Sequence, residues 1–81
     1  MALITHIEYG APLSERLHDK IDNARSLYFD IHGDRIFQIG TFGRDTRMIP
    51  GKKSQTIQLN RDAARQLINQ LNEAFPGILE Q

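Results

Sequence analysis

The sequence predicts an α+β domain: an antiparallel sheet of four to five strands with helices packed on one face, in the order β-α-β-β-β-β-α. Two observations favour this class. Apolar residues alternate with polar ones along residues 27–42, which is the period of a strand, whereas they recur at helical spacing along residues 60–75. Proline and glycine separate the predicted elements, and there is no internal repeat or linker, so residues 1–81 are predicted to form a single domain.

Residues 27–42 are predicted to form a β-hairpin with one buried face. The apolar positions of that face are Leu27, Phe29, Ile31, Phe37 and Ile39. A two-residue turn would set Phe29 opposite Gln38, whereas a three-residue loop over residues 33–35 pairs Phe29 with Ile39. We therefore expect the three-residue loop, because it brings the apolar positions to the same side of the sheet.

The part of the chain that precedes the hairpin is predicted to contain a strand and a helix. Residues 3–9 alternate weakly, and Gly10 and Pro12 end that strand. Ser14 is a suitable N-cap for a short helix that ends near residue 24. The apolar residues that recur at helical spacing are Leu13, Leu17, Ile21 and Ala24.

Two strands and a second helix are predicted after the hairpin. A third strand is expected near residues 45–49, a type II turn at Pro50-Gly51, and a fourth strand at residues 54–59. Asn60 should cap the final helix, and Pro76-Gly77 should end it. A wide apolar stripe on that helix is predicted to cover the sheet; its members are Ala64, Leu67, Ile68, Leu71, Ala74 and Phe75.

Composition limits the classes of function. The ten basic and ten acidic residues balance, which is unusual for a strongly basic nucleic-acid binder. The absence of cysteine excludes disulfides and thiolate metal sites and suits a cytoplasmic protein. No apolar run reaches the length of a membrane span, and the N-terminal residues do not resemble a signal peptide.

A chain of this size buries little surface, and its apolar C-terminal Ile78-Leu79 and free edge strand at residues 3–9 predict a homodimer.

No motif predicts catalysis or a cofactor. The three histidines lie in different predicted elements and show no metal-ligand spacing. Asp30 and His32 share a face near the hairpin tip, but no nucleophile accompanies them. The segment Gly51-Lys52-Lys53-Ser54 resembles only the tail of a P-loop and lacks its leading glycine. We therefore expect a protein that is not an enzyme and binds no metal or cofactor.

One sheet face is predicted to remain open and to carry the binding residues. Tyr28 should point away from the core, next to Asp30, His32 and Gln38. An exposed aromatic ring with nearby cations can stack on bases and pair with phosphates of a single strand. The candidate binding residues are Tyr28, Arg35, Arg44, Arg47, Lys52 and Lys53. An ordinary half-exposed strand tyrosine and a solvated basic turn explain the same residues without a ligand.

Residues 33–75 resemble the single-stranded-DNA-binding domain of the positive-cofactor-four transcriptional coactivators. The shared features are a hairpin, the turn Pro50-Gly51-Lys52-Lys53, a short strand Thr56-Ile57-Gln58-Leu59, and a C-terminal helix containing Arg65-Gln66-Leu67. The order of a four-stranded sheet and a helix also resembles a repeat of the purine-rich-element-binding (Pur) proteins. The chain departs from the coactivator pattern because it has no tryptophan in the final helix and is not basic overall.

The resemblance implies that Arg44, Arg47, Lys52 and Lys53 contact phosphates and that Tyr28 stacks on a base. Two functions therefore remain open. The first is a homodimer that binds single-stranded nucleic acid across its sheets. The second is a protein-binding accessory or inhibitor module of the phage or plasmid type, which docks through its sheet face or edge.

Overall fold

The structure, a computed structural model, describes residues 1–42 and 53–80. It contains a four-stranded sheet followed by one helix, which confirms the predicted α+β class. The elements are β1 (Ala2–Ile4), β2 (Ala24–Ile31), β3 (Asp34–Phe42), β4 (Lys53–Leu59) and α1 (Arg61–Ala74). The strand order across the sheet is β1-β4-β3-β2. The third strand predicted at residues 45–49 and the Pro50-Gly51 turn lie outside the described residues.

The sheet is mixed, so the prediction of a wholly antiparallel sheet was wrong for one strand pair. β2 and β3, and β3 and β4, pair antiparallel, but β1 runs parallel to β4 with Ala2 opposite Ile57 and Ile4 opposite Leu59. The predicted strand at residues 3–9 is therefore shorter and shifted. A long connection over residues 5–23 returns the chain to the start of β2, as a parallel arrangement of the two edge strands requires.

The helix predicted before the hairpin is absent, because residues 10–23 contain no helix or strand. Its apolar positions have no surface to pack on: Leu13 and Leu17 are 92% and 90% exposed. A short helix without tertiary packing is only marginally stable in water, so the helical spacing of apolar residues is not enough to form a helix here. Within the described residues, one helix therefore lies beside the sheet, whereas the sequence predicted more than one.

The hairpin turn contains two residues, His32 and Gly33, so the predicted three-residue loop was wrong. Both residues have positive φ, 51° and 82°, which is the conformation of a type I′ turn. Ile31 pairs with Asp34, and Phe29 pairs with Ile36 in place of Ile39. Because side chains alternate along a strand, this register shift of three residues moves Phe37 and Ile39 to the opposite face of the sheet.

The two faces of the sheet consequently differ in chemistry. One, the glutamine face, carries Leu27, Phe29, Ile36, Gln38, Thr56 and Gln58. The other, the isoleucine face, carries Tyr28, Phe37, Ile39, Ile57 and Leu59. On the glutamine face, Gln38 is buried and its Oε1 accepts a 2.9 Å hydrogen bond from Nε2 of Gln58. This bond provides a partner for a polar group that would otherwise be costly to bury.

Helix α1 begins where the sequence predicts. The side chain of Asn60 accepts a 2.9 Å hydrogen bond from the backbone N–H of Ala63, and the last helical residue, Ala74, precedes Pro76-Gly77. The helix contacts β3 and β4, and Ala63 is its one buried residue. The predicted apolar stripe covers the sheet only in part, because Ile68, Leu71 and Phe75 are exposed. We call these three residues the apolar flank.

The turn geometry gives the first prediction. Replacing Gly33 with alanine places a side chain at a φ of +82°, which should lower the free energy of unfolding by about 1 kcal/mol. Urea unfolding measures this change. Gly10→Ala is the matched control, because open space surrounds that position and its backbone is not in the left-handed region. Equal effects of the two substitutions would contradict a type I′ turn at residues 32–33.

Candidate binding surface

The isoleucine face holds the predicted aromatic residue and carries several exposed apolar side chains. Tyr28 on β2 is 64% exposed and lies directly opposite Phe37 on β3. Next to this pair, Ile39 and Ile57 face each other on the two central strands and are 38% and 48% exposed. Central positions of a sheet are ordinarily covered by a second layer, so this face offers an apolar surface to a ligand or partner.

Arg35 is held against the ring of Tyr28. The centre of its guanidinium lies 4.7 Å from the ring centroid, within the range of a cation–π contact. The same guanidinium donates two hydrogen bonds to Asp30, from Nε to Oδ1 at 2.9 Å and from Nη2 to Oδ2 at 3.3 Å. Asp30 and Arg35 are cross-strand partners, so the two-residue turn places all three side chains together.

The ion pair changes the acidity of its carboxyl group. The hydrogen bond from Arg35 is the largest influence and lowers the pKa of Asp30, while partial desolvation opposes it. The same hydrogen bond raises the pKa of Arg35, so the guanidinium stays charged. Both side chains are about two-thirds exposed, so the pair orients Arg35 on the tyrosine more than it stabilises the fold.

An open groove of about 1120 Å³ extends from this cluster to the start of α1. Its apolar lining residues are Leu3, Ile36, Phe37, Leu59 and Ala64. Its charged lining residues are Asp30, Asp34, Arg35, Arg61 and Asp62, which gives three acids against two cations and a formal charge of −1. The groove therefore does not by itself attract phosphates, and any phosphate contacts must come from elsewhere.

The structure places only part of the predicted set. Tyr28 and Arg35 lie together on the isoleucine face, whereas Arg44, Arg47 and Lys52 lie outside the described residues. Lys53 is the first residue of β4, but its side chain is not described. Gln38, predicted to neighbour Tyr28, lies on the opposite face.

Sequence reasoning missed that Phe37, Ile39 and Ile57 share the face of Tyr28. The opposite charges of Asp30 and Arg35 were the available signal, because a register that pairs them also pairs Tyr28 with Phe37. No group of three or more histidine or acidic side chains suitable for a metal occurs within residues 1–42 and 53–80. No helix in this described part is long and apolar enough to cross a membrane.

Comparison of the chain with known protein families, curated proteins and solved structures found no match. The function must therefore be argued from the surface itself.

The ion pair gives the second prediction. The carboxyl of Asp30 should titrate below the ordinary range of an aspartate, and Arg35→Gln should return its pKa toward that range. Since the folded-state pKa is lowered, any stabilisation is present above the unfolded pKa and disappears as pH falls through the folded value. An NMR titration that follows the carboxyl groups measures the pKa of Asp30 in the wild type and in Arg35→Gln. An unchanged Asp30 titration in Arg35→Gln would contradict the pairing.

Proposed function

We propose that the chain is a small non-enzymatic binding domain that binds single-stranded nucleic acid through the isoleucine face. The observation that carries the proposal is the exposed ring of Tyr28 with the guanidinium of Arg35 against it. Base stacking on such a ring needs one accessible face of the aromatic and tolerates any base sequence. The adjoining Phe37 and Ile39 extend the apolar surface on which an unstacked base can rest.

In this proposal the phosphate contacts come from the basic segment between β3 and β4. Arg35 already pairs with Asp30, so it serves mainly to hold the aromatic surface. The charged residues Arg44, Arg47, Lys52 and Lys53 follow β3 or open β4 in the sequence, and Phe42 and Lys53 lie at the end of these strands away from the His32-Gly33 turn. The resemblance to the coactivator domain, strongest in Pro50-Gly51-Lys52-Lys53, supports this assignment. The proposal includes no cofactor and places the protein in the cytoplasm.

The proposal also includes a homodimer. Among the described residues the buried apolar side chains are only Ile36, Leu59 and Ala63, which is little for a stable domain. The apolar flank of α1 leaves an apolar helix surface uncovered in each chain. Two such helix surfaces can pack on each other around a two-fold axis, which leaves the isoleucine face open to a ligand.

A protein-docking module is the second candidate. The groove beside Tyr28 favours it, because its lining combines apolar side chains with charged groups of both signs. Such a surface is typical of a protein interface, where charged groups fix orientation and apolar groups supply binding energy. The two candidates differ in their salt dependence, since counterion release accompanies binding to phosphates.

Oligonucleotide binding tests the first candidate. Fluorescence anisotropy with a labelled single strand should show binding that weakens roughly fiftyfold between 50 and 200 mM salt for about four phosphate contacts. Tyr28→Ala should weaken it about tenfold through lost stacking. The double variant Lys52→Glu with Lys53→Glu should abolish it without changing the fold.

Tyr9→Ala is the matched control for the stacking residue, because Tyr9 is equally exposed but lies outside the sheet. It should bind like the wild type. Absence of binding at low salt would remove the nucleic-acid proposal. A captured protein partner whose binding survives high salt would then support the docking module.

Sedimentation tests the homodimer. At micromolar concentration the chain should sediment at about 18.6 kDa, twice its mass of 9.3 kDa. Ile68→Glu should shift it toward the monomer, because a charge on the apolar flank cannot be buried without cost. Asn69→Glu, at an exposed position of the same helix away from the apolar flank, should leave the dimer intact. A wild-type mass equal to one chain would overturn the homodimer but not the binding of a single strand.

A further inference from the structure

Residues 2–9 form an N-terminal arm that lies against β4 and α1. Its first part is β1, which pairs parallel with β4 over three residues at the sheet edge. The pairing continues one step further, since the backbone N–H of Asn60 donates a 3.3 Å hydrogen bond to the carbonyl of Ile4. A parallel pair this short contributes little, so the arm depends on further contacts.

Those contacts come from glutamine side chains on the helix. The backbone N–H of Ile7 donates to Oε1 of Gln66 at 2.6 Å, and its carbonyl accepts from Nε2 of Gln70 at 3.0 Å. Gln66 and Gln70 are four residues apart and therefore adjacent on one side of the helix. Together the two side-chain amides hydrogen-bond both the backbone N–H and the carbonyl of Ile7, as a neighbouring β-strand would.

The rest of the arm follows the same side of α1. Nε2 of Gln66 lies 3.0 Å from Nδ1 of His6, whose Nε2 lies 3.3 Å from Glu8. The phenol of Tyr9 hydrogen-bonds to Glu73, which raises the pKa of Tyr9. Gln66, Gln70 and Glu73 thus form one row along the helix, on a different flank from Ile68 and Phe75.

The arm resembles a bound peptide more than an integral strand of the sheet. Its central hydrogen bonds involve backbone atoms, so they do not depend on which side chains it carries. Only Ile4 and Ile7 of the arm are half-buried, and the remaining side chains are exposed. The connector that follows, residues 10–23, is exposed and has no helix or strand to fix the arm in place.

We propose that the edge of β4 that pairs with β1, together with the Gln66–Gln70 pair, forms a binding site for an extended peptide segment of a partner protein. The segment that fits has aliphatic side chains three residues apart, as Ile4 and Ile7 are, and adds a parallel strand to β4. The chain's own arm occupies this site in cis and competes with the partner. The site is separate from Tyr28, so the inference goes beyond the function proposed above.

A synthetic peptide of residues 1–9 tests this site. The variant Ile4→Asp with Ile7→Pro releases the chain's own arm, because it places a charge beside Leu59 and removes the N–H that Gln66 accepts. The labelled peptide should bind this released chain at least about tenfold more tightly than the wild type. In the wild type the tethered arm competes at an effective concentration in the millimolar range.

Adding Gln66→Ala and Gln70→Ala to the released chain should reduce peptide binding about tenfold or more. Adding Asn69→Ala and Asn72→Ala, on the exposed side of α1, is the matched control and should leave binding unchanged. Equal peptide binding by the released and wild-type chains would overturn the proposal. If the released chain does not fold by circular dichroism, NMR of the wild type with millimolar peptide decides. Shifts at residues 57–59, 66 and 70 support the site, and no shifts there overturn it.

Discussion

The two-residue turn at His32-Gly33 is the constraint on which the arrangement of the sheet depends. Its two positive φ values fix which residue of β3 opposes each residue of β2. A loop longer by one residue would place Phe37 and Ile39 beside Phe29 and Ile31 on a single apolar face. The observed turn instead divides the apolar residues between two faces and joins Tyr28, Asp30 and Arg35 in one cluster. The candidate binding surface is therefore a direct consequence of turn geometry.

Dividing the apolar residues between two faces has an energetic consequence. One 14-residue helix cannot cover both sides of a four-stranded sheet, and α1 contacts the strands β3 and β4. The Cα radius of gyration, 15.0 Å, exceeds the roughly 12 Å expected of a compact chain of this length. Small proteins have a small free energy of unfolding, so exposed apolar surface of this extent favours association with another molecule. The isoleucine face and the apolar flank are the two surfaces that such an association can use.

The N-terminal arm is held against the edge of the sheet and the helix by few contacts. Side-chain amides of α1 bind the backbone of Ile7 where no further strand is available, and a short parallel pair completes the edge of β4. The helix thus has two distinct sides: one carries the buried Ala63 and the glutamines that bind the arm, and the other is the uncovered apolar flank. The proposals for nucleic acid, a second copy and a peptide therefore concern separate surfaces: the isoleucine face, the apolar flank, and the site of the arm.

The sequence by itself determined the α+β class, the two hairpin strands, β4, and a final helix capped by Asn60, because these elements depend on local periodicity, capping and turn residues. It also identified Tyr28 as exposed, since alternation along one strand suffices for that. Only the tertiary structure decided which face β3 presents, whether Leu13 and Leu17 have a surface on which a helix can form, and that β1 lies parallel to β4. These features depend on contacts between residues far apart in the chain, such as Ile7 with Gln66, and local patterns carry no information about which distant partner is present.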